Sequence, residues 1–173
     1  FALEQPDVNW RNPQVKAAML GECKFWLDRG VDGFRLDVAH MPIKAEGLPD
    51  NPLKFGLRGY DRQDHSNHIN QPETHAIWQD FRTVLDAYPE RMAVGEVEVK
   101  GAEDYYGDKQ NELHLVFNFG MMNRSWDARR FYDIVANWEK RLPEHAWPCW
   151  VLNNHDNSCS ISRYASGLAT IAR

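Results

Sequence analysis

Helical and strand-like segments alternate along the whole chain, and that alternation limits the possible folds more than any other feature. Asn12-Pro13 is a helix start, a capping side chain followed by proline at the first helical position. Val15, Met19, Cys23 and Trp26 then recur at helical spacing as far as Gly30. A β-rich stretch, 31–38, follows at once and ends around Asp37. Pro72 opens a second helix with Ile77, Phe81, Val84 and Leu85 on one face, and 92–97 reads as the second strand. A short helical stretch from Ala102 leads to a third strand within 113–119. Phe131, Ile134, Val135 and Trp138 mark the next helix, 147–152 the fourth strand, and a last helix begins near Ser160 and runs toward the terminus at Arg173. With right-handed crossovers this order gives an α/β fold, a parallel sheet flanked by helices. Open sheets and (β/α)8 barrels both place their chemistry at the C-terminal ends of such strands, so the order alone leaves the two open.

Three carboxylates, Asp37, Glu96 and Asp156, each stand at or just past the C-terminal end of a different expected strand. Parallel packing gathers such positions at one rim. Like charges in a cleft push one pKa upward, leaving one group ionised and another protonated, which is the division a nucleophile and a general acid require. Arg35 lies two residues before Asp37 and therefore on the same strand face, where it can keep Asp37 ionised. His155, next to Asp156, adds a polar group at the rim. The competing reading is that strand-end carboxylates cap the following helices and that Arg35 makes a structural ion pair; three carboxylates at one rim favour chemistry.

The remaining polar residues carry weaker signals. The stretch 41–71 has no periodicity and reads as a long loop, which in compact domains is usually functional. Asp61, Asp64, His65 and His68 cluster in it, but their spacing matches no metal loop of known ligand geometry, so a solvated loop is the better reading. Cys159 near His155 lacks a third orienting group for thiol chemistry. The three cysteines have no CxxC spacing, which fits reduced thiols and a cytoplasmic setting rather than a disulfide framework or zinc site. The 173 residues, 43% hydrophobic and 26% charged, suffice for a sizeable core. A formal net charge of -5 with no basic stripe excludes a nucleic-acid partner, and no apolar run reaches membrane-spanning length.

Set side by side, these residues resemble the α-amylase superfamily, glycoside hydrolase family thirteen, in its oligo-1,6-glucosidase and α-glucosidase branch. Gly33-Phe34-Arg35-Leu36-Asp37 is similar to the fourth-strand motif, Gly95-Glu96 to the fifth, and Asn154-His155-Asp156 to the seventh. Gln5-Pro6-Asp7-Val8-Asn9 resembles the motif that ends the domain inserted after the third strand, and Phe117-Asn118-Phe119 and Ser162-Arg163-Tyr164 are also similar to the branch. The resemblance implies a partial (β/α)8 barrel, about strands four to seven, with 1–10 as the end of the inserted domain and 11–173 as barrel.

It also implies a retaining glycosidase for small α-glucosidic oligosaccharides, with Asp37 as nucleophile, Glu96 as acid/base and Asp156 as the third catalytic carboxylate. Arg35, His155 and His40 are the implied substrate-binding residues; no metal and no cofactor is implied. A transglucosylase or isomerase of trehalose synthase or sucrose isomerase type shares this machinery, and a non-catalytic relative is the alternative of another class. Val38, directly after the nucleophile, resembles the α-1,6-preferring members. Three departures stand out: the third-strand motif Asp-x-x-x-Asn-His has no counterpart, Cys159 replaces a usual arginine, and Met41 replaces the histidine that supports calcium in amylases. A half barrel with exposed strand edges is expected to be poorly stable and inactive alone.

Overall fold

The structure is a computed structural model that describes residues 4, 6–122 and 124–168. Gln5 of the first motif and the expected continuation of the last helix over 169–173 lie outside the described residues. Four strands form one parallel sheet in the order β1 (Gly33–Leu36), β2 (Met92–Gly95), β3 (Leu115–Asn118), β4 (Cys149–Trp150). Each strand pairs with the next in sequence, so the winding never reverses. A doubly wound sheet reverses at its switch point, whereas a barrel keeps one sense.

The helices are α1 (Pro13–Leu27), α2 (Glu73–Asp86), α3 (Ala128–Glu139) and α4 (Ser160–Leu168). Asn12 caps α1 by accepting the Gln14 N–H at 2.9 Å, with Pro13 just inside, as the Asn-Pro pair requires. Its buried face differs from the expected stripe. Leu20, Cys23 and Leu27 turn to the core, while Met19 and Trp26 are exposed. Both stripes have helical spacing, and periodicity alone does not say which one meets the sheet. On α2 the expected face holds: Ile77, Phe81, Val84 and Leu85 are buried together with Trp78.

Strands are shorter than the β-rich segments suggest. β4 has two residues because its register with β3 covers only Phe117↔Cys149 and Asn118↔Trp150, and Pro148 just before it has no N–H to give. The helical stretch expected from Ala102 is one 3-10 segment, Ala102–Tyr106. The long loop contains two more, Tyr60–Arg62 and His65–Asn67.

The core lies between the sheet and α2. Phe81 meets Phe34 edge-on at 5.8 Å and Trp78 at 6.0 Å, and Ala93, Val116 and Tyr105 are wholly buried beneath them. Gly33 permits the closest strand approach, since a Cβ there would stand 2.1 Å from the Met92 carbonyl oxygen. The glycine that opens the first motif is therefore a packing requirement of the β1–β2 pair.

Candidate active site

At the C-terminal ends of β1 and β2 one guanidinium joins two acids. Arg35 donates through Nη1 to Asp37 Oδ1 and through Nη2 to Glu96 Oε2. The strand alternation puts Arg35 and Asp37 on one face, and the register Leu36↔Gly95 brings Glu96 beside them. The two acids live in different surroundings: the Asp37 side chain is 69% exposed and that of Glu96 14%.

Their pKa values part accordingly. The Arg35 hydrogen bond is the main reason Asp37 sits below the ordinary carboxylate range, with a hydrogen bond from Glu96 and the nearby His155 adding to it. Burial is the main reason Glu96 sits above its ordinary value, and the hydrogen bond to Asp37 and the charges of Asp37 and Asp156 push the same way. Arg35 pulls Glu96 down, but the other effects outweigh it. The two acids are thus pushed in opposite directions, Asp37 toward the ionised form and Glu96 toward the protonated one. Such a parting of two neighbouring carboxyl groups is the division that a nucleophile and a general acid require.

Asp156 and His155 come from the loop after β4, with His155 Nε2 3.6 Å from Asp156 Oδ2 and both side chains exposed. Asp156 is near enough to act on the charges of Glu96 and Arg35. Beside them a cleft of about 320 Å³ is lined by Arg35, Phe117, Phe119, Trp150, Asn154 and His155. Larger cavities of about 450, 430 and 360 Å³ lie elsewhere; of these clefts the 320 Å³ one alone is lined by Arg35 and His155, and none is lined by the three carboxylates themselves. The loop carrying Asp156 is tied down by Arg163, whose guanidinium donates to the Ser158 carbonyl at 2.7 Å and to those of Leu152 and Met122. Tyr164 adds a hydroxyl bond to the Met121 carbonyl at 2.8 Å. Ser162-Arg163-Tyr164 therefore fastens the seventh-motif loop to the segment after β3.

His40 lies apart from the cleft. It is 4% exposed, and burial holds its pKa down. The polar residues of the long loop serve the loop itself: Asp64 accepts the Ser66 N–H at 3.1 Å, His65 Nε2 meets the Tyr60 carbonyl at 3.0 Å, and His68 Nδ1 meets Asn51 Nδ2 at 2.6 Å. Sequence reasoning missed Trp78, whose indole Nε1 donates to the Ala39 carbonyl at 2.8 Å. A tryptophan on the buried face of a helix reads as core, and nothing in its spacing reveals a polar task.

The family described as alpha amylase, catalytic domain, matches residues 1–171. The chain belongs to the α-amylase family. It is similar to a probable alpha-glucosidase of Rhizobium meliloti, 34% identical over 97% of this chain and 33% of that protein. It is also similar to an oligo-1,6-glucosidase of Parageobacillus thermoglucosidasius, 35% identical over 95% of this chain and 31% of that one. Among solved structures it resembles the alpha-glucosyl transfer enzyme XgtA, with a TM-score of 0.87 and 33% identity over 98% of this chain and 34% of that chain. The chain spans about a third of the length of the curated relatives it matches. With this membership the one-way winding of the sheet is that of a partial α-amylase-family (β/α)8 barrel.

Proposed function

We propose that this chain carries the catalytic centre of a retaining enzyme acting on α-glucosidic bonds of small oligosaccharides. The observation that carries the reading is the single Arg35 guanidinium that bonds both Asp37 and Glu96 at the ends of neighbouring strands. Both carboxyl groups are in contact with the same guanidinium, which keeps them close together. An inverting pair needs a gap of about 6.5–9.5 Å for a water, whereas a retaining pair stands at about 5 Å. That closeness favours retention.

In this mechanism ionised Asp37 attacks the anomeric carbon while Glu96 gives its proton to the departing glycosidic oxygen. A β-glucosyl ester forms on Asp37. Glu96, now a base, takes a proton from water, which attacks the ester and releases the sugar with its α configuration. Arg35 keeps Asp37 ionised between turnovers. Asp156 and His155 reach sugar hydroxyls from the rim. His40, 4% exposed, supports the site from its buried place rather than by touching sugar. No metal or cofactor enters any step.

The active unit is a complete barrel to which this chain contributes strands four to seven, with 1–10 ending the inserted domain and 11–173 forming barrel. Its setting is the cytoplasm, a reading supported by the free thiols of Cys23, Cys149 and Cys159. Among the described residues no helix is long and apolar enough to cross a membrane. Glucosyl transfer or isomerisation is the second reading, favoured by the likeness to XgtA and, at 26% identity and a TM-score of 0.77, to the isomaltulose synthase of Klebsiella sp.. Product analysis of the complete barrel with maltose, isomaltose and sucrose separates the two. Asp37→Asn and Glu96→Gln test the core reading: each removes sugar release, and undiminished release from either ends it.

A further inference from the structure

The turn that follows Asp37 has an unusual backbone. Val38 has φ 36°, in the left-handed region that a β-branched residue strongly disfavours. Such a conformation persists only where its surroundings impose it. Around this turn they do so bond by bond. The Met41 N–H donates to the Val38 carbonyl at 2.8 Å, closing the turn, and the Ala39 N–H donates to the Glu96 carbonyl at 2.8 Å. The Glu96 N–H in turn donates to the Leu36 carbonyl at 2.9 Å, so the acid/base is held by its backbone on both sides of the nucleophile.

Two outside groups hold the far side of the turn. Trp78 Nε1 donates to the Ala39 carbonyl at 2.8 Å, and the Asn70 N–H donates to the His40 carbonyl at 2.7 Å. Asn70 is itself fixed by the Tyr105 hydroxyl, which donates to its Oδ1 at 2.7 Å. Ala39 is wholly buried, so no water can replace the indole if it is removed. The indole has little freedom, since Trp10 and Phe81 meet its ring edge-on at 6.4 and 6.0 Å.

We propose that Trp78 is a positioning residue for the catalytic pair: its indole N–H holds the strained Val38 turn, and through Ala39 that turn fixes Glu96 against Asp37. The inference rests on the reading of Asp37 and Glu96 given above. A tryptophan that merely filled the core would act on stability alone. One that sets the spacing of two carboxyl groups also acts on the rate and on the pH at which those groups ionise.

The test uses the complete barrel carrying this sequence and an aryl α-glucoside. Trp78→Phe keeps a buried ring and deletes the donor; kcat is expected to fall about tenfold with KM within about twofold. The basic limb of the kcat–pH profile is expected to move to lower pH, because Glu96 loses part of the carboxylate contact that keeps it protonated. Val84→Ala, a cavity on the buried face of α2 away from the turn, is expected to lower stability and leave both readouts in place. Tyr105→Phe is expected to move kcat and the limb as Trp78→Phe does, by less, and it decides the matter if Trp78→Phe does not fold. Wild-type kcat and pH profile in whichever of the two fold, or an equal limb shift in Val84→Ala, would overturn the proposal. If the unmutated barrel turns over α-glucoside and Asp37→Asn does not, such a result overturns the positioning role alone; if Asp37→Asn is as active as its parent, the underlying reading falls and this inference with it.

Discussion

Arg35 on β1 is ion-paired with Glu96 at the end of β2, although 61 residues separate them in the chain. The pair spans the two neighbouring strands that carry the proposed nucleophile and acid/base. Parallel pairing in the register Arg35↔Val94 and Leu36↔Gly95 is what makes this reach possible. A lysine cannot reproduce it, because one ammonium is a point charge without the planar fork that serves two carboxylates. In Arg35→Lys, kcat/KM of the complete barrel is expected to drop by about a hundredfold. Both limbs of its pH profile are expected to move up, since Arg35 lowers Asp37 and opposes the rise of Glu96.

The unmutated pair itself predicts the shape of the pH profile. Asp37 is depressed, so activity is lost on the acid side only as pH falls through a value below the ordinary Asp range. Glu96 is raised, so activity is lost on the basic side as pH climbs through a value above the ordinary Glu range. A bell with both features in kcat/KM against pH is the expected outcome. A basic limb at or below the ordinary Glu value contradicts the raised Glu96.

A part-buried polar pair elsewhere bears on stability. His75 Nδ1 meets Glu112 Oε2 at 2.8 Å, and this hydrogen bond is the main reason the His75 pKa is raised. A raised folded-state value means the contribution is fully present below the unfolded histidine value and is lost as pH rises through the folded one. Denaturant midpoints of the complete barrel are expected to fall across that window. Glu112→Gln is expected to flatten that loss.

The chain alone presents large apolar side chains to water: Phe55 is 96% exposed, Leu57 88% and Leu53 86%. Expressed by itself it is expected to associate, to unfold without a sharp transition and to show no α-glucoside turnover. Sedimentation, thermal unfolding and an activity assay on the isolated chain check this together. Cooperative unfolding of a monomer with measurable turnover contradicts it.

Much of the fold and of the site was legible in the residues, and the divisions are physical. The rim was readable because each β-rich segment carries a carboxylate near its end, although the strands stop one residue before it: Asp37 follows β1 directly and Glu96 follows β2 directly. The Arg35–Asp37 contact followed from period-two alternation. Which stripe of α1 is buried was not readable, since Met19 and Leu20 both lie on helically spaced rows and only the sheet decides between them. The long loop hid most. Its contribution to the site is the Asn70 backbone N–H, held by the side-chain bond from Tyr105, and backbone donors leave no mark in a sequence. His40 lies four-hundredths exposed under Glu96 because the Val38 turn folds it inward, and a left-handed valine is not something a propensity scale anticipates.

The most direct measurement is the mass of the peptide containing residue 37 after the complete barrel meets a fluorinated α-glucosyl fluoride that forms the ester faster than water removes it. A glucosyl adduct on Asp37, absent in Asp37→Asn, is the predicted result. An adduct on another side chain, or turnover that releases β-configured sugar with no adduct at all, contradicts the account.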